Sequence, residues 1–164
     1  MTKFKASETQ GQYLVEGTVS ADEIVTMAKR LLNKRFAKGR AMTEPKSSKD
    51  YLTLKLSNFE HEVFSILFLS NNHKIIAYEE LFRGTIDAAS VYPREVVKRA
   101  LQLNAAALIL AHNHPSGEST PSQSDMQITH KLQQALKMVD IRILDHIIIG
   151  SEEPVSLAEL GHIT

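Results

Sequence analysis

Ala106-Ala107-Leu108-Ile109-Leu110-Ala111-His112-Asn113-His114-Pro115-Ser116-Gly117 is the stretch from which the rest of the chain can be read. Its first six residues are apolar and a Pro/Ser/Gly cluster closes it, the pattern of a short strand buried in a core. Alternate residues of a strand share a face, so the imidazoles of His112 and His114 project together. A loop of Gly, Ser, Thr and Pro follows, and Asp125 stands eleven residues beyond His114, within reach if the loop folds back. Two neutral imidazoles and one carboxylate make the three-ligand set of a catalytic zinc site, whose fourth position is left to water.

Two histidines closing a core strand can also do no more than hydrogen-bond to loop backbone. A buried cationic pair would repel, however, and burial disfavours charged imidazole. A metal removes that conflict by taking both rings in their neutral form. Nitrogen and carboxylate donors without sulfur suit zinc best, with Fe(II), Co(II) and Mn(II) as the other options, so one Zn2+ per chain is expected. Ser122 and Asp125 together have the form of a helix N-cap with a carboxylate in the first turn. A cap is also a rigid place from which to aim that carboxylate.

Outward from this centre, elements alternate. Ser20 with Glu23 reads as a capping box, followed by a helix with Ile24, Met27, Ala28, Leu31 and Leu32 on one face. Residues 1–19 are expected to be an irregular tail or an edge segment, and 38–49 a linker. A short helix is expected from Ser47 or Ser48, carrying Tyr51, Leu52 and Leu56. Val63 to Leu69 and Lys74 to Arg83 read as a hairpin about Asn71-Asn72. Pro93 opens a helix bearing Val96, Val97, Ala100 and Leu101. Another helix is expected from about Ser122 to about Met138, a strand from Ile141 to Ile149, and a last short helix that opens on a capping box of Ser156 to Glu159. Such alternation predicts an α/β fold, a mixed β-sheet flanked by helices. The expected organisation is an N-terminal tail, helix and basic linker over 1–46 and a main domain over 47–164.

The 164 residues carry 19 basic and 19 acidic side chains, so net charge selects no class of partner. With no cysteine there is neither a disulfide framework nor a thiolate site, which fits a cytoplasmic protein. It also excludes zinc deaminases, which need a Pro-Cys-x-x-Cys motif. Barrel amidohydrolases, which also carry His-x-His, need about 250 residues. The N-terminus has no apolar signal segment, and no run approaches the roughly 20 apolar residues of a membrane span.

The pattern His112-x-His114-Pro115, Ser122 and Asp125 resembles the signature of JAMM (MPN-plus) metalloproteases. With Pro93-Arg94-Glu95-Val96 upstream and Asp145-His146 downstream, it is similar to the bacterial RadC branch of that family, over residues 47–164. The resemblance implies a JAMM/MPN, cytidine-deaminase-like sandwich in a short form without the helix-hairpin-helix region of longer relatives. It implies zinc held by His112, His114 and Asp125, and hydrolysis of peptide or isopeptide bonds in a peptide or protein substrate. It also implies a glutamate before the first core strand as general base. Glu62 is the match and Glu60, two residues earlier, its rival; sequence alone reads both as solvated charges. Ser122 is expected to help stabilise the oxyanion, and Asp145 and His146 to orient the site from behind the ligands. The remaining histidines, His61, His73, His130 and His162, read as surface residues.

The rival function is a DNA-repair or mobile-element accessory protein whose metal site is not catalytic. Residues 29–49 hold eight Lys or Arg against the single acid Glu44. Phe36 is the run's only aromatic, a poor platform for stacking bases. A solvated helix face and linker explain the same residues.

Overall fold

The structure, a computed structural model, describes residues 3–42, 45–84 and 90–164. Glu44 lies outside the described residues. The chain divides into two compact units, Met1–Arg35 and Phe36–Thr164.

In the first unit, strands β1 (Phe4–Ala6) and β2 (Tyr13–Val15) pair antiparallel, Phe4 opposite Val15. Of the two expectations for this segment, the irregular tail is overturned, and the strand pair is nearer to an edge segment. Three-residue strands are too short to display a period, yet Tyr, Val and Phe favour the pleat. Ion pairs Lys5–Glu16 at 2.6 Å and Lys3–Glu23 at 3.1 Å stitch the exposed surface. Helix α1 spans Ala21–Arg35, and its capping box forms as read: Glu23 N donates to Ser20 Oγ at 3.2 Å and Ser20 N to the Glu23 carboxylate at 2.8 Å.

The second unit runs α2 (Pro45–Leu56), β3 (Val63–Leu69), β4 (Ile75–Arg83), α3 (Pro93–Gln102), β5 (Ala107–Asn113), α4 (Gln123–Lys137), β6 (Arg142–Ile149) and β7 (Val155–Ser156). One mixed sheet has the order β4-β3-β5-β6-β7, in which only β5 and β6 are parallel. Helix α4 is the crossover that a parallel pair requires. The α/β fold with a mixed sheet flanked by helices is the one the sequence predicts.

Every residue of β3 and β5 is buried, because helices cover both faces of the sheet. On one face, Phe64, Ile66, Phe68, Leu108 and Leu110 pack with Val96 and Ala100 of α3 and Leu132 and Leu136 of α4. Helix α2 lies against β5 and β6 on the other, with Leu52 and Leu56 fully buried. His112 is in phase with Leu108 and Leu110, which points it toward α4.

Three boundaries differ from expectation. Helix α2 starts at Pro45, whose fixed φ suits a first turn, rather than at Ser47 or Ser48. The expected linker is partly tied down by an isolated bridge: Ala41 pairs with Lys74, and Met42 N donates to the His73 carbonyl at 2.8 Å. No final helix forms. Ser156 ends β7, and its Oγ accepts from Glu159 N at 3.1 Å to cap a single turn only. No helix among the described residues is long and apolar enough to cross a membrane.

Candidate metal centre

The segments that carry the three candidate ligands are built by two local devices. Strand β5 carries His112 next to its end and hands the chain to His114, whose N–H donates to the Ile149 carbonyl at 2.8 Å, prolonging the β6 pairing by one step. The second device is the N-terminus of α4. Ser122 is its N-cap, accepting from Asp125 N at 3.1 Å, while the Asp125 carboxylate accepts from Ser122 N at 2.7 Å. This reciprocal box fixes the Asp125 rotamer and leaves its outer edge free to face the sheet.

The two devices converge. His112 Nε2 lies 2.9 Å from His114 Nε2 and 3.0 Å from Asp125 Oδ1, and His114 Nε2 lies 3.3 Å from Asp125 Oδ2. One potential ligand atom from each of the three falls within 4.8 Å of the others, so the group can hold a metal ion. Hydrogen-bond logic supports the fit. His114 Nδ1 sits 2.7 Å from the Glu118 carbonyl, which can only accept, so Nδ1 carries the proton and Nε2 keeps its lone pair. The lone pair of His114 and the Asp125 carboxylate oxygens thus face one point beside the His112 ring, where a cation could be held.

Electrostatics say the same. Burial pushes the Asp125 carboxyl up, but the imidazoles of His112 and His114 more than reverse this and hold it well below the usual carboxylate range. The hydrogen bond with Asp125 raises His114 above an ordinary imidazole against the opposing effect of burial; the Glu118 carbonyl and the Glu62 charge add to it. The cluster stabilises positive charge.

This group forms the floor of a cleft of about 550 Å³ whose walls include Glu62, Ser116, Glu118, Thr120 and Ser122. Glu62 therefore shares one cleft with the three candidate ligands. Glu60 is exposed, stands in a bend rather than in extended chain, and does not line the cleft. The capping bond uses an oxygen lone pair of Ser122 and leaves its hydroxyl proton available to the cleft.

The Asp145-His146 pair is divided between two roles. His146 Nε2 lies 2.8 Å from His112 Nδ1, directly behind the ring of a candidate ligand. The Asp145 carboxylate instead accepts from Ser156 Oγ at 2.7 Å, Ala158 N at 3.1 Å and His146 N at 2.7 Å, anchoring β7 and the turn after it. Its side chain is taken up at the strand edge, whereas the imidazole beside it contacts the ring of His112. Of the other histidines, His130 and His162 are exposed, while His61 and His73 are partly buried.

Several supporting groups escape a sequence reading. Asn113, between the two histidines, points to the opposite face. Its Oδ1 accepts from Val63 N at 2.8 Å, and its Nδ2 donates to the carbonyls of His61 at 3.0 Å and Phe59 at 3.3 Å. One amide thus clamps the segment that presents Glu62; the available signal was its place in the alternation. Asn113→Ala leaves Val63 N buried without a partner and should cost about 1–3 kcal/mol, measurable by urea denaturation. Phe64 stacks on the His112 ring with centroids 5.9 Å apart and an interplanar angle of 15°. The loop of His114 is moored by Ser151 N donating to the Gly117 carbonyl at 2.7 Å. A Cβ on Gly150 would lie 2.3 Å from that carbonyl oxygen, so only glycine permits the approach.

Comparison with known proteins places these features. Residues 42–162 match the family described as RadC-like JAB domain. Two UPF0758 proteins of Vibrio cholerae are 49% and 50% identical over 150 and 157 residues, covering 92% and 96% of this chain and 94% and 97% of their own length. A UPF0758 protein of Nitrosococcus oceani is 56% identical over 135 residues, 82% of this chain but 60% of that longer protein. A match extending over most of the folded unit, together with identity near one half along relatives of similar length, leaves one conclusion: the chain belongs to the RadC-like JAB domain family.

Proposed function

We propose that this protein is a zinc-dependent hydrolase of amide bonds, peptide or isopeptide, with Glu62 as general base. The observation that carries the reading is the convergence of two imidazole nitrogens and the Asp125 carboxylate on the floor of a cleft walled by Glu62. The sulfur-free donor set favours zinc. His112, His114 and Asp125 would hold the zinc, which would supply Lewis acidity and make a nearby water easier to deprotonate near neutral pH.

The chain's own groups do the rest. Glu62 takes the proton of the attacking water on its carboxylate and passes it to the leaving amine nitrogen. Ser122 donates its hydroxyl proton to the carbonyl oxygen as negative charge grows there, without giving up its cap. Asn113 holds the Glu62 segment in place from the far face of the sheet. Phe64 seals the inner side of the His112 ring from bulk water.

A protein or peptide substrate suits the cleft better than a nucleic acid, since its walls carry carboxylates and hydroxyls and no Lys or Arg among the described residues. We place the protein in the cytoplasm, in keeping with its lack of cysteine. The test is incubation of the zinc-loaded protein with diverse peptides and isopeptides, followed by mass spectrometry for new amine and carboxylate ends. If none is cut while zinc stays bound, a non-catalytic accessory role replaces the hydrolase.

A further inference from the structure

Behind the ligands runs a chain of hydrogen bonds whose direction can be assigned from one end. Thr129 Oγ1 donates to the backbone carbonyl of Asp125 at 2.6 Å. That spends its only proton, so at its 2.6 Å contact with His146 Nδ1 it must accept. His146 therefore carries its proton on Nδ1 and a lone pair on Nε2. The 2.8 Å contact with His112 then has His112 Nδ1–H as donor. His112 Nε2, facing Asp125 and His114, is left with its lone pair.

We propose that Thr129 and His146 are positioning residues that preset His112 as a metal ligand by fixing its tautomer and ring plane. The chain closes on itself: it starts from the backbone of one ligand, Asp125, and ends on the ring of another, His112, whose Nε2 returns to the Asp125 carboxylate. All the participants are buried, His146 completely. Ligand histidines generally hold their second nitrogen against a carboxylate, carbonyl or water. Here an imidazole takes that place, and a helix hydroxyl one turn after Asp125 decides which way it points.

A β-bulge puts His146 there. In the β5–β6 pairing, Leu108 stands opposite Ile143 but Ile109 stands opposite Asp145, so Leu144 is an extra residue. Ile143 packs in the core with α3 and α4, and uninterrupted alternation would send Asp145 to that face and His146 away from it. The bulge shifts the phase by one and exchanges them.

This inference rests on the metal-binding half of the proposed function, and the probe is Zn2+ alone. Thr129→Val should weaken zinc binding about 10–100-fold, whereas Thr129→Ser, which keeps the hydroxyl, should stay within a few-fold of wild type. Nitrogen-15 spectra of the metal-free wild-type protein, taken at a pH high enough that neither His112 nor His114 carries a second proton, should show His112 protonated at Nδ1 alone. In Thr129→Val the Nε2–H form should grow in, because His146 is then free to turn its own proton toward His112. The relay is overturned if Val binds zinc as tightly as wild type, if Ser fails as badly as Val, or if wild-type His112 carries its proton on Nε2. The wild-type spectrum decides even should the Val variant not fold. Failure of the wild-type protein to bind zinc would sink the metal reading, while the tautomer measurement would still judge the relay.

Discussion

The Glu62→Gln protein is expected to hold a full equivalent of zinc and to lose amide hydrolysis by about 10²–10⁴-fold, the range over which a positioned acid or base contributes. The amide has nearly the shape of the carboxylate but cannot accept the water proton, so the step fails while folding and metal content stay intact. Folding should be unaffected because Glu62 is only partly buried and precedes β3, and its backbone carbonyl, which accepts from Gly84 N at 2.8 Å, is unchanged. Glu60→Gln is the matched control. That side chain is exposed and outside the cleft, and its variant should hydrolyse at the wild-type rate. Steady-state kinetics on any amide the wild type cleaves, with zinc measured in the same samples, separates the two. A fully active Glu62→Gln protein would remove Glu62 from the reaction.

His114→Ala should lose the metal and stay folded. His114 is the outermost of the three ligands, its side chain 16% exposed against 1% for His112, so truncation opens little cavity. The effect on metal should nevertheless exceed the roughly 10–100-fold that loss of a supporting partner costs, since a donor atom itself is gone. Elemental analysis after gel filtration should fall from about one zinc per chain to a small fraction, with the circular dichroism of the wild type preserved. Full zinc content in this variant would overturn the ligand assignment.

Much of this was legible in the chain because it depends on short-range rules. Strand β3 spans Val63–Leu69, the apolar run itself, and α4 spans Gln123–Lys137, inside the limits that Ser122 and Met138 suggest. The convergence of His112, His114 and Asp125 follows from one strand period, one turn cluster and one N-cap. Glu62 belongs to a different category. A charge preceding a strand carries no signal of its own, and the resemblance to JAMM enzymes alone distinguished it from Glu60.

What stayed hidden depends on pairing between distant segments. The aim of His146 is set by one extra residue in β6, visible only once β5 lies beside it. Thr129 looks like an unfavourable helix residue until its hydroxyl is seen between a backbone carbonyl and a buried ring. The clamp of Asn113 on Val63 joins residues 50 apart in sequence. The β1–β2 hairpin was missed for the opposite reason, being too short for any period to show.

The most direct measurement is a crystal structure of the zinc-loaded protein with anomalous data collected at the zinc edge. The expected result is a single peak about 2.0–2.2 Å from Nε2 of His112, Nε2 of His114 and one carboxylate oxygen of Asp125, with an open position facing Glu62. A peak elsewhere, or none at these three residues in crystals grown with excess zinc, would contradict the metal centre and with it the hydrolase.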